Sequence, residues 1–171
     1  MIEPMTADDA TTVAAQLQRP ARGVVGVAHR CRCGKPDVVA TQPRLPDGTP
    51  FPTTYYLTCP HLVAAVSRLE AAGGVERWSE AVGRDPELAA DLERATEEQR
   101  ELRKALAAGR TGRDEGASLE LGIGGSANPG RLKCLHAHAA FALANPGYLL
   151  GEGVLAEVEP LWPSQHCCSE P

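Results

Sequence analysis

The sequence predicts an α+β fold, a small antiparallel three-stranded sheet packed against four to five helices, one of them long and charged. Short segments rich in valine, threonine and tyrosine lie between turn signals in residues 23–57, which is typical of strands. Later segments repeat their apolar residues every three to four positions, as amphipathic helices do. The length of 171 residues suits a single domain.

The two ends of the chain are expected to lie outside this domain. Thr6 is a candidate N-cap and Asp8 and Asp9 favour a first helical turn, so residues 1–22 are predicted to form an N-terminal helix and leader that closes at Pro20. Residues 23–158 are predicted to form the α+β domain. Residues 159–171 are expected to form a disordered tail.

The predicted strands are residues 23–29, 38–41 and 53–57, joined by a turn at 31–36 and a proline-rich loop at 43–52. If the last two strands pair as an antiparallel hairpin, Cys59 falls beside residues 35–36. The meander then gathers three cysteines at one end of the sheet, namely Cys31, Cys33 and Cys59.

Cys59 precedes Pro60, a residue that suits the first turn of a helix. We expect the helix N-terminus to lower the pKa of this thiol and favour ligation or nucleophilic chemistry. A small buried filler is the alternative interpretation. The helix ends at Gly73 and Gly74, and a short helix is predicted over residues 75–82.

Asp85 and Pro86 begin the long charged helix. Its apolar positions form a narrow seam, and residues 86–117 are expected to be a helical insertion that ends in a flexible connector. Two interpretations stay open, a helix that lies on its own domain and an arm that binds a protein partner through residues 86–109. The seam comprises Leu88, Leu92, Ala95, Gln99, Leu102 and Leu106.

A glycine-rich loop precedes a helix that is predicted to start near Gly130 or Arg131. Backbone N–H groups in such a loop can hold an anion, although the spacing of known phosphate-binding loops is absent. The candidate anion-binding residues are Gly124, Gly125, Arg131 and Lys133.

This helix carries a Cys/His cluster. Helical residues four apart share a face, whereas residues two apart point roughly 200° away from each other. Cys134 is therefore paired with His138, unless Cys134 lies in an irregular entry to the helix, where His136 becomes available. Cys134 and His138, together with Cys31 and Cys59, make a Cys₃His set, which is the composition of a zinc site. An iron–sulfur cluster is the other candidate cofactor. Cys33 and His136 are alternative or supporting ligands.

The formal charge of −5 and the lack of a basic cluster argue against nucleic-acid binding. No apolar run reaches the roughly 20 residues that span a bilayer, and no signal-peptide pattern is present. We therefore expect a cytoplasmic protein whose cysteines are thiols or ligands.

Several motifs together resemble the uncharacterised bacterial domain-of-unknown-function family 501. The resemblance covers about residues 24–158. The family pattern includes Cys31, Cys59, Cys134 and the two histidines His136 and His138, and it implies that Cys31, rather than Cys33, is a ligand. It also implies a genomic neighbourhood with a cell-division septum protein and an exopolyphosphatase-like enzyme. The motifs are Arg30-Cys31, Gly34-x-Pro36, Asp47-Gly48-Thr49-Pro50-Phe51-Pro52-Thr53, Leu57-Thr58-Cys59-Pro60, Leu69-Glu70, Gly122-Ile123-Gly124-Gly125 and Lys133-Cys134-Leu135-His136-Ala137-His138.

Three functions follow from the sequence. The first is a metal- or cluster-binding module with a structural or regulatory role. The second is a thiol enzyme that uses Cys59 or Cys134 as nucleophile and His138 or His136 as base. The third is an adaptor that binds a cell-division or envelope partner through residues 86–109.

Overall fold

A computed structural model describes residues 1–110, 112–128 and 130–161. The α+β class is confirmed: three strands form one antiparallel sheet in the order β1-β2-β3. The strands are β1 (Val24–Arg30), β2 (Pro36–Thr41) and β3 (Tyr55–Leu57). The described residues contain six α-helices, α1 (Ala7–Leu17), α2 (Pro60–Ala71), α3 (Gly74–Arg84), α4 (Pro86–Ala107), α5 (Leu135–Ala144) and α6 (Leu149–Val158), one more than the upper number predicted.

Helix α1 starts as predicted and then packs on the sheet. Thr6 and Asp9 form a capping box, in which each side chain accepts a hydrogen bond from the backbone N–H of the other residue. The Asp9 carboxylate also accepts two hydrogen bonds from Arg30 of β1, at 2.7 and 3.0 Å. Glu3 pairs with Val27 as an isolated β-bridge. The N-terminal segment is thereby tied to the edge of the sheet.

Strand β2 is the centre of the sheet, and all six of its residues are buried. It pairs with β1 and β3, and it also contacts α1 and α5. A strand buried at every position has both faces covered.

Helix α5 is the central helix of the domain. It contacts all three strands as well as α2 and α6. Seven of its ten residues are buried, among them Phe141, whose ring packs edge-on against Tyr55 and Tyr148. A helix that is apolar all round belongs in the interior. The N-terminal end of α5 contacts α2, since the His136 ring lies 3.2 Å from the carbonyl oxygen of Val63.

The long helix α4 lies on its own domain. Its buried residues include Leu92, Ala95 and Gln99 of the predicted seam, while Leu88 and Leu102 are partly buried against the core. Arg103 is 1 % exposed and donates hydrogen bonds to the loops before β3 and after α4. The predicted connector after α4 is fastened by an ion pair between Arg44 and Asp114.

No helix in the described ranges is both long and apolar enough to cross a membrane. The predicted tail falls largely outside the described residues, since only 159–161 belong to them, in a short 3₁₀ turn.

A candidate metal centre at the start of helix α5

Three side chains from two helices converge where α5 begins: Glu70 near the end of α2, and Cys134 and His136 at the start of α5. Their ligand atoms all lie within 4.8 Å of one another. Within the described part of the chain this is the one group of three or more Cys, His, Asp or Glu side chains that meets this distance.

Cys134 and His136 meet because Cys134 is not helical. It is the N-cap of α5 and has extended dihedral angles, φ −155° and ψ 113°. The helical rule that separates residues two apart does not apply to an extended residue, so the Cys134 Sγ lies 3.8 Å from the His136 Nδ1. This is the irregular helix entry in which His136 becomes available to Cys134, and it replaces the expected pairing of Cys134 with His138.

The ring of His136 is oriented by contacts on both nitrogens. Its Nε2 lies 3.2 Å from the carbonyl oxygen of Val63 and 3.2 Å from the Ser67 Oγ. A carbonyl only accepts, so Nε2 carries a hydrogen and donates it to Val63. Nδ1 then faces the Cys134 sulfur and the Glu70 Oε1, which is 3.2 Å away.

The electrostatics of His136 reflect these two neighbours. Burial lowers the pKa of the ring, but the contacts with Cys134 and Glu70 outweigh burial and raise the pKa to about 9. Nδ1 is therefore a position where positive charge is stabilised, whether that charge is a proton or a metal ion.

Glu70 is the one member of the group that is not among the predicted ligands. Its Oε1 accepts a hydrogen bond of 2.6 Å from the backbone N–H of Leu135, so the carboxylate caps the N-terminus of α5. The pair Leu69-Glu70 appeared among the motifs of the family resemblance, and this was the available signal. The chain itself offers no local pattern that links Glu70 to a helix 65 residues later.

The other predicted ligands lie elsewhere. His138 is 1 % exposed, and its Nδ1 hydrogen-bonds to the hydroxyl of Tyr148 at 2.7 Å. Burial lowers the pKa of His138 to about 3, and Nε2 has no hydrogen-bond partner among the described residues. His138 is thus a neutral core residue that faces α6 instead of Cys134.

Cys59 is also a core residue, with 1 % of its surface exposed. We expected the helix N-terminus to lower the pKa of its thiol. Instead burial raises the pKa, and this effect outweighs the hydrogen bonds from the N–H groups of Leu62 and His61. The hairpin placement is confirmed, because the Thr58 hydroxyl donates to the carbonyl of Pro36 at 3.2 Å. Neither Cys59 nor Cys31 joins a ligand group with Cys134.

The glycine-rich loop differs from the prediction as well. Helix α5 begins at Leu135 instead of near Arg131, because the Ser126 hydroxyl shares its one hydrogen between the carbonyls of Asn128 and Arg131 and holds this stretch as turns. Gly125, Arg131 and Lys133 line one surface pocket, whereas Gly124 lines a separate cleft. Anion binding there stays a prediction.

An apolar cleft of about 560 Å³ opens beside the Cys/His/Glu group. Cys134 and His136 line it together with apolar side chains from the sheet and α2. Gly124 leaves room there, since a Cβ at this position would meet the Cβ of Cys134 at 3.4 Å. The walls include Leu17, Tyr55, Leu57, Pro60, Val63 and Ala137.

The helices on a three-stranded meander and the Cys/His/Glu group at a helix start all lie within the range that one family model matches. A family described as "Protein of unknown function (DUF501)" matches residues 27–156, and the chain belongs to this family. The match includes every residue of the group and of the Cys31 and Cys33 turn. Neither the curated proteins nor the solved structures gave a match.

Proposed function

We propose that this protein binds a zinc ion through Glu70, Cys134 and His136, with a fourth coordination position open to the apolar cleft. The observation that carries the proposal is the convergence of three different donor types on one point. Ligands of a tetrahedral zinc ion lie roughly 3 to 4 Å apart, given bonds of about 2.0 to 2.3 Å. The 3.2 and 3.8 Å separations around the His136 Nδ1 suit that geometry.

The chemistry of the donors favours zinc over an iron–sulfur cluster. Zinc accepts a thiolate, an imidazole and a carboxylate in one site, whereas iron–sulfur clusters are held mostly by several cysteines. The group holds a single cysteine. Zinc is therefore the cofactor of the proposal.

The surroundings of the ligands support it. Histidine ligands of metals usually donate their second ring N–H to a carbonyl or carboxylate, which fixes the tautomer. His136 does this through Nε2 to Val63. Glu70 is held in place by the backbone N–H of Leu135. The site is preorganised around the position that the ion would take.

Three protein ligands beside a cleft are the pattern of a zinc site that exchanges a water or a ligand atom, whereas structural sites use four protein ligands. Glu70, Cys134 and His136 supply three, and the cleft borders two of them. The proposed role is regulatory or catalytic binding of a small ligand at the ion.

A competition titration of the metal-free chain with Zn²⁺ and a chromophoric chelator tests the proposal. We expect one equivalent to bind, and Cys134→Ser, His136→Gln and Glu70→Gln each to weaken binding by about tenfold or more, since each removes a ligand. The matched controls are Cys33→Ser and His61→Gln, two exposed residues outside the group. Equal affinity in the ligand and control variants would overturn it.

A thiol enzyme is the second candidate, and the contact between Cys134 and His136 favours it. The same Nδ1 that would bind zinc is placed to form an ion pair with a thiolate at the helix start. Cys134 lines the cleft, while Cys59 is buried. Iodoacetamide at neutral pH should alkylate Cys134 well before Cys59. Comparable slow rates for the two would contradict this candidate.

Partner binding through residues 86–109 stays a prediction, and no contact among the described residues specifically favours it. The buried seam is occupied by the domain itself. A partner would have to use the charged outer face of α4.

A further inference from the structure

A second thiol site lies at the turn between β1 and β2, away from the Cys/His/Glu group. The sulfurs of Cys31 and Cys33 are 2.8 Å apart, although both cysteines are free thiols. Cys33 is exposed and Cys31 is partly exposed. Two thiols this close, and open to solvent, are placed to exchange a proton or to form a bond.

The turn itself holds the two sulfurs together. The Cys31 N–H donates to the carbonyl of Lys35, and the Gly34 N–H donates to the carbonyl of Cys31, both at 2.9 Å. Gly34 has a φ of +76°, which a glycine adopts without strain. The guanidinium of Arg30 donates to the Gly34 carbonyl and fastens the turn to α1 through Asp9.

The pair is the accessible part of this end of the sheet. Arg32 lies between the cysteines and is exposed, and Lys35 follows them. The thiol of Cys59 is buried, so an external reagent meets the pair first.

We propose that Cys31 and Cys33 form a dithiol that exchanges with low-molecular-weight disulfides, and that the oxidised form is a Cys31–Cys33 disulfide. The exposed Cys33 thiolate attacks one sulfur of the external disulfide, which forms a mixed disulfide and releases the first thiol. The Cys31 thiolate then attacks the Cys33 sulfur, which forms the intramolecular disulfide and releases the second thiol. Two protein thiols are oxidised and one external disulfide is reduced to two thiols.

The disulfide would close a very small loop, with one residue between its cysteines. Strained, exposed disulfides have more oxidising potentials than structural ones, and they belong to the labile and regulatory class. The site is therefore expected to respond to the redox state of its surroundings and to revert on reduction. It is independent of zinc binding, since neither cysteine belongs to the ligand group.

The test equilibrates the full-length chain in glutathione buffers of graded oxidised-to-reduced ratio, blocks free thiols, cleaves at glutamates and aspartates and measures peptide masses. Asp37 and Asp47 lie between Cys33 and Cys59, and no acidic residue lies between Asp9 and Asp37, so the pair shares one peptide and Cys59 falls on another. Cys167 and Cys168 lie beyond Glu159 and fall on a third. We expect the peptide with Cys31 and Cys33 to lose two hydrogen atoms as the ratio rises, with Cys59 still blocked as a thiol.

Two single variants complete the test. Cys31→Ser should accumulate glutathione on Cys33, because the resolving thiol is gone, and Cys33→Ser should accumulate it more slowly on Cys31. A pair that stays reduced over the whole range would overturn the proposal. It would also be overturned by a disulfide that involves Cys59, or by a Cys31→Ser variant that gains no adduct.

Discussion

Replacing Arg103 by methionine should destabilise the domain, because this buried guanidinium joins α4 to two loops. Its Nη1 donates to the Pro52 carbonyl at 3.0 Å and to the Thr54 hydroxyl at 3.2 Å. Its Nη2 donates to the carbonyls of Phe51 and Ser118, both at 3.1 Å. Burial lowers the pKa of Arg103 to about 10, so the side chain is still charged at neutral pH.

The expected loss follows from the partners left behind. The contacts with Thr54 and Ser118 are wholly buried, and an unsatisfied buried polar group costs about 1 to 3 kcal/mol. Removing a buried charge recovers part of this, which leaves a net destabilisation of about 2 to 4 kcal/mol. For a domain of this size that is a fall in melting temperature of about 4 to 16 °C.

Chemical denaturation and thermal melting of Arg103→Met measure the effect. The matched control is Lys104→Met, since the neighbouring Lys104 is exposed and pairs only at the surface with Glu120. We expect the control to stay within about 0.5 kcal/mol of the wild type. A loss below about 1 kcal/mol for Arg103→Met would refute the reasoning. The same contacts predict that deleting residues 86–116 unfolds the domain.

Two further predictions concern the packing of the domain. The Arg30 guanidinium, together with hydrogen bonds from Thr6, lowers the pKa of Asp9 in the folded state. The stability that the ionised Asp9 contributes is therefore present above the unfolded pKa of about 3.9, and it is lost as the pH falls below that value. Asp9→Asn should lower stability at pH 7 by about 1 to 3 kcal/mol and flatten the acid side of the stability profile; an unchanged profile contradicts this. Gly151→Ala should destabilise the domain by about 2 kcal/mol or more, because the added Cβ would lie 2.4 Å from the carbonyl oxygen of His138. The control is Gly83→Ala, whose added Cβ meets no atom within 4 Å, and it should be neutral or stabilising. Equal effects in urea unfolding would count against the close packing of α5 and α6.

Most of the fold could be predicted because it depends on local signals. The strand segments, the Thr6 and Asp85 caps and the breaks at glycine and proline are short-range features, and they place each element to within a few residues. The predicted start of α5 was wrong because Ser126 satisfies backbone carbonyls across a turn, and helix or turn propensities do not encode that contact.

The site was harder to predict, because it depends on one residue's backbone and on one distant side chain. Helical spacing predicts that Cys134 pairs with His138. Cys134 instead lies outside the helix, and its sulfur is therefore close to the ring of His136. Glu70 reaches the site only through the packing of α2 on α5. The predicted ligands His138 and Cys59 can bind a metal chemically, but both are buried in the core and lie away from the group.

X-ray absorption at the zinc edge of the zinc-loaded protein tests the central claim most directly, because it counts the sulfur atoms bound to the ion. Coordination by Glu70, Cys134 and His136 predicts one sulfur at about 2.3 Å and nitrogen or oxygen ligands at about 2.0 to 2.2 Å. A shell with two or three sulfurs would contradict the account and favour Cys31 and Cys59 as ligands. A shell without sulfur would exclude Cys134.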